Sequence, residues 1–554
     1  MPSEVERGRA DLRRFEEEQP RNFWRADPHL CRVLRHLAGP QAPASWEPEL
    51  DRFGEVCAGP LDRAVRLNSL DGNLPAVDRF SPYGERIEEV RHHPSYHEAG
   101  RLVYGSGMAR LLAEPGHNLQ ALALFYLSSH DGEAGHNCPM ACTAGVVKAL
   151  VAVGSPELKK RYLARLTSTD YEQLAHGAQY LTEVQGGSDV GLNAVRAVPD
   201  DRETGSWRLF GEKWFCSNVT ADLALITARP EGAVEGTDGL GLFLMPRRLP
   251  DGSLNAFAIR RLKDKLGTRT LATAELDLDG AFAWQVGPLD QGFRNAMTHV
   301  IDTSRVFNAA GCAGISRRAC LVAHAYARRR CAFGAPILDY PMVQQTLADM
   351  RSETAAMVSG VFHAVRVLDA SERGLASPAE RAFLRLAINL NKRRTALSSH
   401  ELVQSGIEVL GGNGTIESIS VLPRLLRDNV VYENWEGSHN VLLMQVLRDC
   451  RRKRAHEGYL AHLAEQARGH ARLAEAVSAA RRELEQALSA GDDAASLRLK
   501  RLGDRLAWLQ WATAMAADGT EPELVEHFLD RRLGPEAAVD ERLLRRLAIL
   551  SRDP

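Results

Sequence analysis

Glu436 stands between a tryptophan and a glycine, in the run Asn434-Trp435-Glu436-Gly437-Ser438-His439-Asn440. A carboxylate in a closed site of that kind is partly desolvated, and desolvation raises its pKa towards that of a useful general base. The competing assignment is a capping glutamate in the first turn of a helix. Two further segments carry chemistry. In Tyr180-Leu181-Thr182-Glu183-Val184-Gln185-Gly186-Gly187-Ser188-Asp189-Val190, paired glycines lie beside hydroxyl and amide groups. Such a loop can present backbone N–H groups to an anion or a ring edge, or it is an ordinary polar turn. In Gly211-Glu212-Lys213-Trp214-Phe215-Cys216-Ser217-Asn218, an aromatic at a strand end is followed by a hydroxyl. That pairing can stack on a flat ligand and hydrogen-bond it, or Trp214 and Phe215 are core residues. Gly412-Asn413-Gly414 starts like a dinucleotide fingerprint, but Glu417 replaces the third glycine and a helical pattern precedes it. Cys138 and Cys142 lie four apart without a second ligand pair nearby, so no metal is expected.

The elements that hold these segments change type along the chain. Residues 1–178 read as a mainly helical domain, with apolar residues at helical spacing in Leu102–Leu112, Leu119–Ser128 and Ala141–Val153. Residues 179–283 read as a β domain of short strands: Trp207–Phe210, Lys213–Ser217, Leu223–Ala228, Leu240–Met245, Phe257–Leu262 and Ala274–Leu278. Strands at such spacing suggest a small barrel or sandwich. Residues 284–450 return to long helices, Arg305–Ala332, Met342–Ala370 and Pro378–Leu410, each long enough to span a bundle. Ser377-Pro378 reads as a cap followed by proline in the first turn. Residues 451–554 form a helical extension rich in Ala, Leu, Arg and Glu. Strands and helices do not alternate, which disfavours a doubly wound sheet; the expected class is α+β.

Bulk composition narrows the function classes. The chain has 554 residues, 44% hydrophobic and 25% charged, with a net charge of -2. That is a globular composition with no global charge drawing it to nucleic acid or anionic lipid. No run approaches the roughly 18 apolar residues of a membrane helix. The first residues are charged throughout, so no secretory signal is expected. Nine cysteines without framework spacing fit free thiols in a reducing cytoplasm.

Taken in order, the three segments resemble signatures of the acyl-CoA dehydrogenase superfamily: its TEPGAGSD loop, its KxWITN strand and its YEGT segment. Further matches lie between them. Lys265-Leu266-Gly267-Thr268-Arg269 resembles KxGxR, Gln291-Gly292-Phe293 resembles GxGF, and Asp302-Thr303-Ser304-Arg305 resembles DxTR. Arg330-Cys331-Ala332-Phe333-Gly334 resembles RxxFG, and Leu410-Gly411-Gly412-Asn413-Gly414 resembles GGNG. His136-Asn137-Cys138-Pro139-Met140, Arg261–Gly267 and the helical extension are similar to the AidB-like, alkylation-response branch. One position departs: Pro341 falls where the family often has glutamine.

The resemblance implies an acyl-CoA dehydrogenase-like fold with FAD between the β domain and the bundle. It puts Thr182 and Ser188 near the flavin and its phosphates, Phe215 against the isoalloxazine face and Ser217 at its N5 edge. Arg330, Phe333, Gly411, Gly412 and Gly414 would contact FAD across a subunit interface, in a homotetramer built as a dimer of dimers. Ser438 and Asn440 would touch the cofactor just past the base. The implied reaction is α,β-dehydrogenation of an acyl thioester, carried by CoA or a carrier protein. Glu436 removes the α proton, the β hydrogen leaves as hydride to flavin N5, Arg305 supports Glu436 or the substrate, and Asp302 meets the carrier arm. Two other functions are open on the same scaffold. One is a flavin oxidase or monooxygenase. The other is a DNA-associated protective flavoprotein, which is less favoured because residues 445–554 carry 19 basic and 18 acidic side chains. The extension is expected to pack in the oligomer.

Overall fold

The structure is a computed structural model that describes residues 3–39, 42–201, 205–534 and 538–554. The chain packs as two compact units. One comprises Pro60–Ala121 and Glu133–Phe307; the other comprises the residues up to Gly59, Leu122–Gly132 and Asn308–Pro554.

The first unit holds a two-stranded hairpin, β1 (Ala76–Phe80) and β2 (Arg86–Arg91). It also holds β3 (Gly177–Tyr180), β4 (Arg196–Asp201), β5 (Ser206–Ser217), β6 (Leu223–Pro230), β7 (Gly241–Pro246), β8 (Phe257–Leu262) and β9 (Thr273–Gln285). β6 pairs with β4, β4 with β5, β5 with β9, β9 with β7, and β7 again with β6. Five strands therefore close into a barrel, with β3 added beside β6 and β8 beside β9. Closure follows from the alternation of the strands: Trp207, Leu209, Ile226, Phe243, Ile259, Leu276 and Ala281 turn one apolar face inwards. The helix Asn137–Val153 covers the outside, where Val146, Val147 and Leu150 meet Leu223 and Leu225 of β6 and Leu242 and Leu244 of β7.

The strand expectations need revision in four places. Trp207–Phe210 and Lys213–Ser217 are one strand; its register against β9 shifts at Leu209/Phe210, where β9 carries the extra residue Gly280 at φ 80°, and again at Lys213/Cys216, where β5 carries it. β9 runs to Gln285, beyond the expected Leu278. β3 and β4 had no expected counterpart, and the hairpin β1–β2 interrupts the helical first segment. In that segment the expected helix Leu102–Leu112 is two, Pro94–Gly105 and Met108–Leu111, separated at Gly107 with φ 82°.

The second unit is helical. Its bundle contains Asp302–Arg329 from Asn308 onward, Pro341–Glu372, Pro378–Leu410, Leu422–Asn434 and His439–Lys453. The Pro378–Leu410 helix has the expected start: Ser377 and Glu380 form a capping box and Pro378 fills the first turn. The expected helix Arg305–Ala332 instead stops at Arg329, because Cys331-Ala332 pairs with Ala335-Pro336 in a small hairpin. Beyond the bundle lie Ala455–Gln466, Ala471–Leu488, Asp492–Ala517, Pro522–Arg532 and Glu541–Leu550.

These last helices share the bundle's core. Phe383, Leu386 and Leu390 pack with Tyr459, Leu463, Leu484 and Leu506. Trp511 is fully buried and its Nε1 donates to Asn391 Oδ1 at 2.8 Å. Fully buried Glu353 accepts from Arg531 at 2.6 Å and Arg532 at 2.8 Å, and Arg532 continues to Glu401 at 2.8 Å. Among the described residues no helix is long and apolar enough to cross a membrane.

Candidate active site

Glu436 lies in the break between two helices. Leu422–Asn434 ends with Trp435 as its C-cap, and Ser438 is the N-cap of His439–Lys453. Glu436 thus belongs to neither first turn, which removes the capping assignment. Its φ is 51°, in the left-handed region, and Gly437 follows at 107°. A non-glycine residue held there stores about 1–3 kcal/mol and persists only where its surroundings enforce it.

Three groups enforce it. Lys392 on the Pro378–Leu410 helix is fully buried, and its Nζ donates to the Glu433 carbonyl at 2.9 Å and the Gly437 carbonyl at 3.0 Å. Asn308 Nδ2 donates to the Tyr432 carbonyl at 3.0 Å and makes a longer contact of 3.4 Å with Glu436 Oε2. The Glu433 carboxylate meets His400 Nδ1 at 2.7 Å and His439 Nε2 at 3.3 Å. Partial burial works to raise the pKa of Glu433, but its hydrogen bonds with His439 and His400 prevail and hold it below the usual carboxylate value. The Glu436 carboxylate is half-buried, and the neighbouring Trp435 ring lies 4.7 Å from that of Tyr432 at a tilt of 52°.

The first unit carries a second constellation. Lys213, fully buried on β5, donates to Glu183 Oε1 at 2.7 Å and to the Leu181 carbonyl at 3.2 Å. Glu183 also accepts from the backbone N–H groups of Ala194 and Val195. Trp214 N donates to the Thr182 carbonyl at 2.9 Å. The glycine loop and the aromatic strand end are therefore one structure. Burial pushes the Lys213 ammonium below its ordinary value, against the opposing pull of Glu183. At the strand end, Phe215 is 52% exposed. Ser217 Oγ lies 3.0 Å from Thr273 Oγ1, and Lys263 Nζ sits 3.2 Å from the centre of the Trp214 ring. A Cβ at Gly187 would stand 2.6 Å from Thr182 Oγ1, so any larger residue there requires Thr182 to move. Ser188 is exposed on the same loop. Arg305 is buried in this unit and meets Asp302 at 3.3 Å one turn away.

The remaining candidates form a third group, in the helical unit. Phe333 is 98% exposed at φ 54°, on the hairpin that follows half-buried Arg330. Tyr340 Oη donates to the Ala332 carbonyl at 2.7 Å and so fixes that hairpin. The turn Gly411–Thr415 is tied by Asn413 Nδ2 to Tyr326 Oη at 3.0 Å. Gly411 has φ 60°, Gly412 is open to solvent, and a Cβ on Gly414 would strike the Ile407 carbonyl at 2.6 Å. Ser438 and Asn440 are exposed beside Glu436.

Lys392 and Asn308 were not among the sequence candidates. The available signal was position: polar and cationic side chains, Asn389 and Asn391 to Thr395, occur at the centre of a 33-residue bundle helix whose neighbours are apolar.

Comparison with known proteins places the chain in a family. Residues 15–173 match the model of the adaptive response protein AidB N-terminal domain. Residues 178–281 match the acyl-CoA dehydrogenase middle domain and residues 290–451 its C-terminal domain. The chain is 34% identical to acyl-CoA dehydrogenase family member 11 of Caenorhabditis elegans, over 77% of this chain and 70% of that protein. It is 31% identical to the putative acyl-CoA dehydrogenase AidB of Escherichia coli (strain K12), over 77% of each. The structure of C. elegans ACDH-11 in complex with C11-CoA superposes with a TM-score of 0.85 at 29% identity, covering 94% of this chain and 92% of that one. A glutamate held between two bundle helices, a strand barrel joined to a glycine loop, and these matches lead to one assignment: the chain belongs to the acyl-CoA dehydrogenase family, with the N-terminal domain of its AidB-like branch.

Proposed function

We propose that this protein is an FAD-dependent dehydrogenase of an acyl thioester, with Glu436 as the base that takes the α proton. The observation that carries the reading is the Glu436 break: a half-buried carboxylate outside both helices, at φ 51°, with Asn308 Nδ2 3.4 Å from Oε2. A carboxylate fixed in this way meets a substrate carbon in one orientation, which is the geometric demand on a general base.

The residues fit a flavin. Phe215 offers an exposed aromatic face, Ser217 a hydroxyl two residues further, and Gly187 a loop surface with no side chain beside Thr182. Ser188 and Thr182 would hold the phosphate side. Arg330, Phe333, Gly411, Gly412 and Gly414 would contact FAD across a subunit interface, and Ser438 and Asn440 would touch it just past the base. FAD, when bound, supplies the acceptor for the β hydrogen and its electron pair. Asp302 and Arg305 would face the substrate's carrier arm and the thioester. A relative whose structure holds C11-CoA makes a long acyl-CoA the first substrate to try. Exposed Phe333 and Met342, 98% and 82% open, support a homo-oligomer that covers them.

The nucleic-acid reading gains nothing from the extension. Arg451 pairs with Asp492, Lys453 with Asp449 and Arg454 with Glu457, so the basic cluster at 451–454 is partly neutralised.

The test is anaerobic flavin bleaching by a panel of acyl-CoA thioesters. Glu436→Gln should keep the bound yellow cofactor and slow bleaching at least about a hundredfold, the usual weight of a general base. Bleaching at the wild-type rate in that variant would overturn the assignment.

A further inference from the structure

Lys392 is a cation with no access to solvent, in the middle of the Pro378–Leu410 helix. An ammonium is kept inside a protein only where its N–H groups are satisfied. Two of them are spent on the Glu433 and Gly437 carbonyls, at 2.9 and 3.0 Å. Those two carbonyls bracket Glu436 on either side. The last four carbonyls of a helix have no partner within it. At the end of Leu422–Asn434, Lys392 takes the Glu433 carbonyl and Asn308 takes the Tyr432 carbonyl. Asn308 also reaches the Glu436 carboxylate itself, while its Oδ1 accepts from Cys312 Sγ at 3.6 Å. The segment is thus gripped from two other helices, at its backbone and at its side chain.

We propose that Lys392 and Asn308 are positioning residues for the Glu436 base, Lys392 acting as a staple that closes the backbone on both sides of it. The proposal rests on the reading of Glu436 as the base. Without the staple, His400 still holds the Glu433 side chain, but the tie between the Glu433 and Gly437 carbonyls is lost, and Glu436 can relax from φ 51° to the ordinary negative region. The carboxylate then moves relative to any substrate, and a displacement of about 1 Å costs on the order of a hundredfold in rate.

The experiment uses the full-length, flavin-loaded protein and the variants Lys392→Met, Lys392→Arg, Asn308→Ala and Glu436→Gln. Three quantities are read: backbone amide exchange at 434–438 without thioester, α-proton exchange into D2O from straight-chain acyl-CoAs between butanoyl and hexadecanoyl, and the affinity for those thioesters. Lys392→Met should speed amide exchange at the break and slow α-proton exchange about a hundredfold with affinity unchanged; Lys392→Arg should restore most of both. Wild-type amide and proton exchange in Lys392→Met would overturn the staple, and so would an equal loss in Lys392→Arg. If Lys392→Met loses its melting transition, Asn308→Ala carries the same readouts. Undiminished α-proton exchange in Glu436→Gln would refute the base, while the amide data still decide whether the staple exists.

Discussion

Lys213 and Glu183 make a buried ion pair on which two sequence segments depend. Removing one partner from such a pair leaves the other charged and unpaired, at a cost of about 3–5 kcal/mol. Lys213→Met should therefore lower unfolding stability by about that amount in a urea titration, and should raise protease sensitivity within 182–192; a loss under about 1 kcal/mol would show that the Ala194 and Val195 N–H groups suffice for the Glu183 carboxylate. The residues seen from sequence at this scale were those with a chemical anomaly, such as Glu436 between tryptophan and glycine. Lys392 escaped notice because a lysine on a helix is ordinarily solvated, and only its burial makes it informative. The link from Lys213 to Glu183 joins positions 30 apart, so the segments were visible in the sequence and their joint was not.

At the scale of elements, helix starts were readable where local chemistry dictates them, as at Ser377-Pro378-Glu380. Strand ends were less so. β5 reads as two runs because Gly211 interrupts the apolar alternation, yet Gly211 stays paired with Leu278 of β9 and the strand runs through it. β3 is four residues long and pairs in parallel with β6, a contact fixed by the barrel and not by its own composition. A further joint sits at Gly360, where a Cβ would stand 2.1 Å from Trp511 Cδ1. Gly360→Ala should cost about 1–3 kcal/mol through overpacking, measured as a drop in the midpoint of thermal or urea unfolding. An unchanged midpoint would mean that Trp511 can shift without loss.

At the scale of the molecule, buried histidines set the acid limit. Burial pushes His92 down to about 3, with His97 and His176 adding repulsion. Burial likewise takes His130 to about 3, and holds His136 and His363 well below their ordinary value of 6.5. These groups are neutral when folded and take up protons when unfolded. The stabilisation from His92 and His130 is therefore complete above about pH 6.5 and is lost as the pH falls from there towards 3, by about 1.4 kcal/mol per pH unit for each, and His136 and His363 act in the same direction. The thermal midpoint should fall steadily below about pH 6.5. His92→Phe, which keeps a ring against Tyr96, should make that fall shallower. A midpoint that stays level down to about pH 4.5 would contradict this account.

Glu353 adds a consequence for biosynthesis. Its counter-ions, Arg531 and Arg532, stand 178 and 179 residues further along the chain. A ribosome that has just completed the Pro341–Glu372 helix has made the acid but not the guanidinium groups that let it go inside. Until the Pro522–Arg532 helix emerges, that carboxylate has Ser398 Oγ and the nearby Arg394 charge but lacks its two direct counter-ions. A helix made midway through synthesis thus waits for one made nearly two hundred residues later.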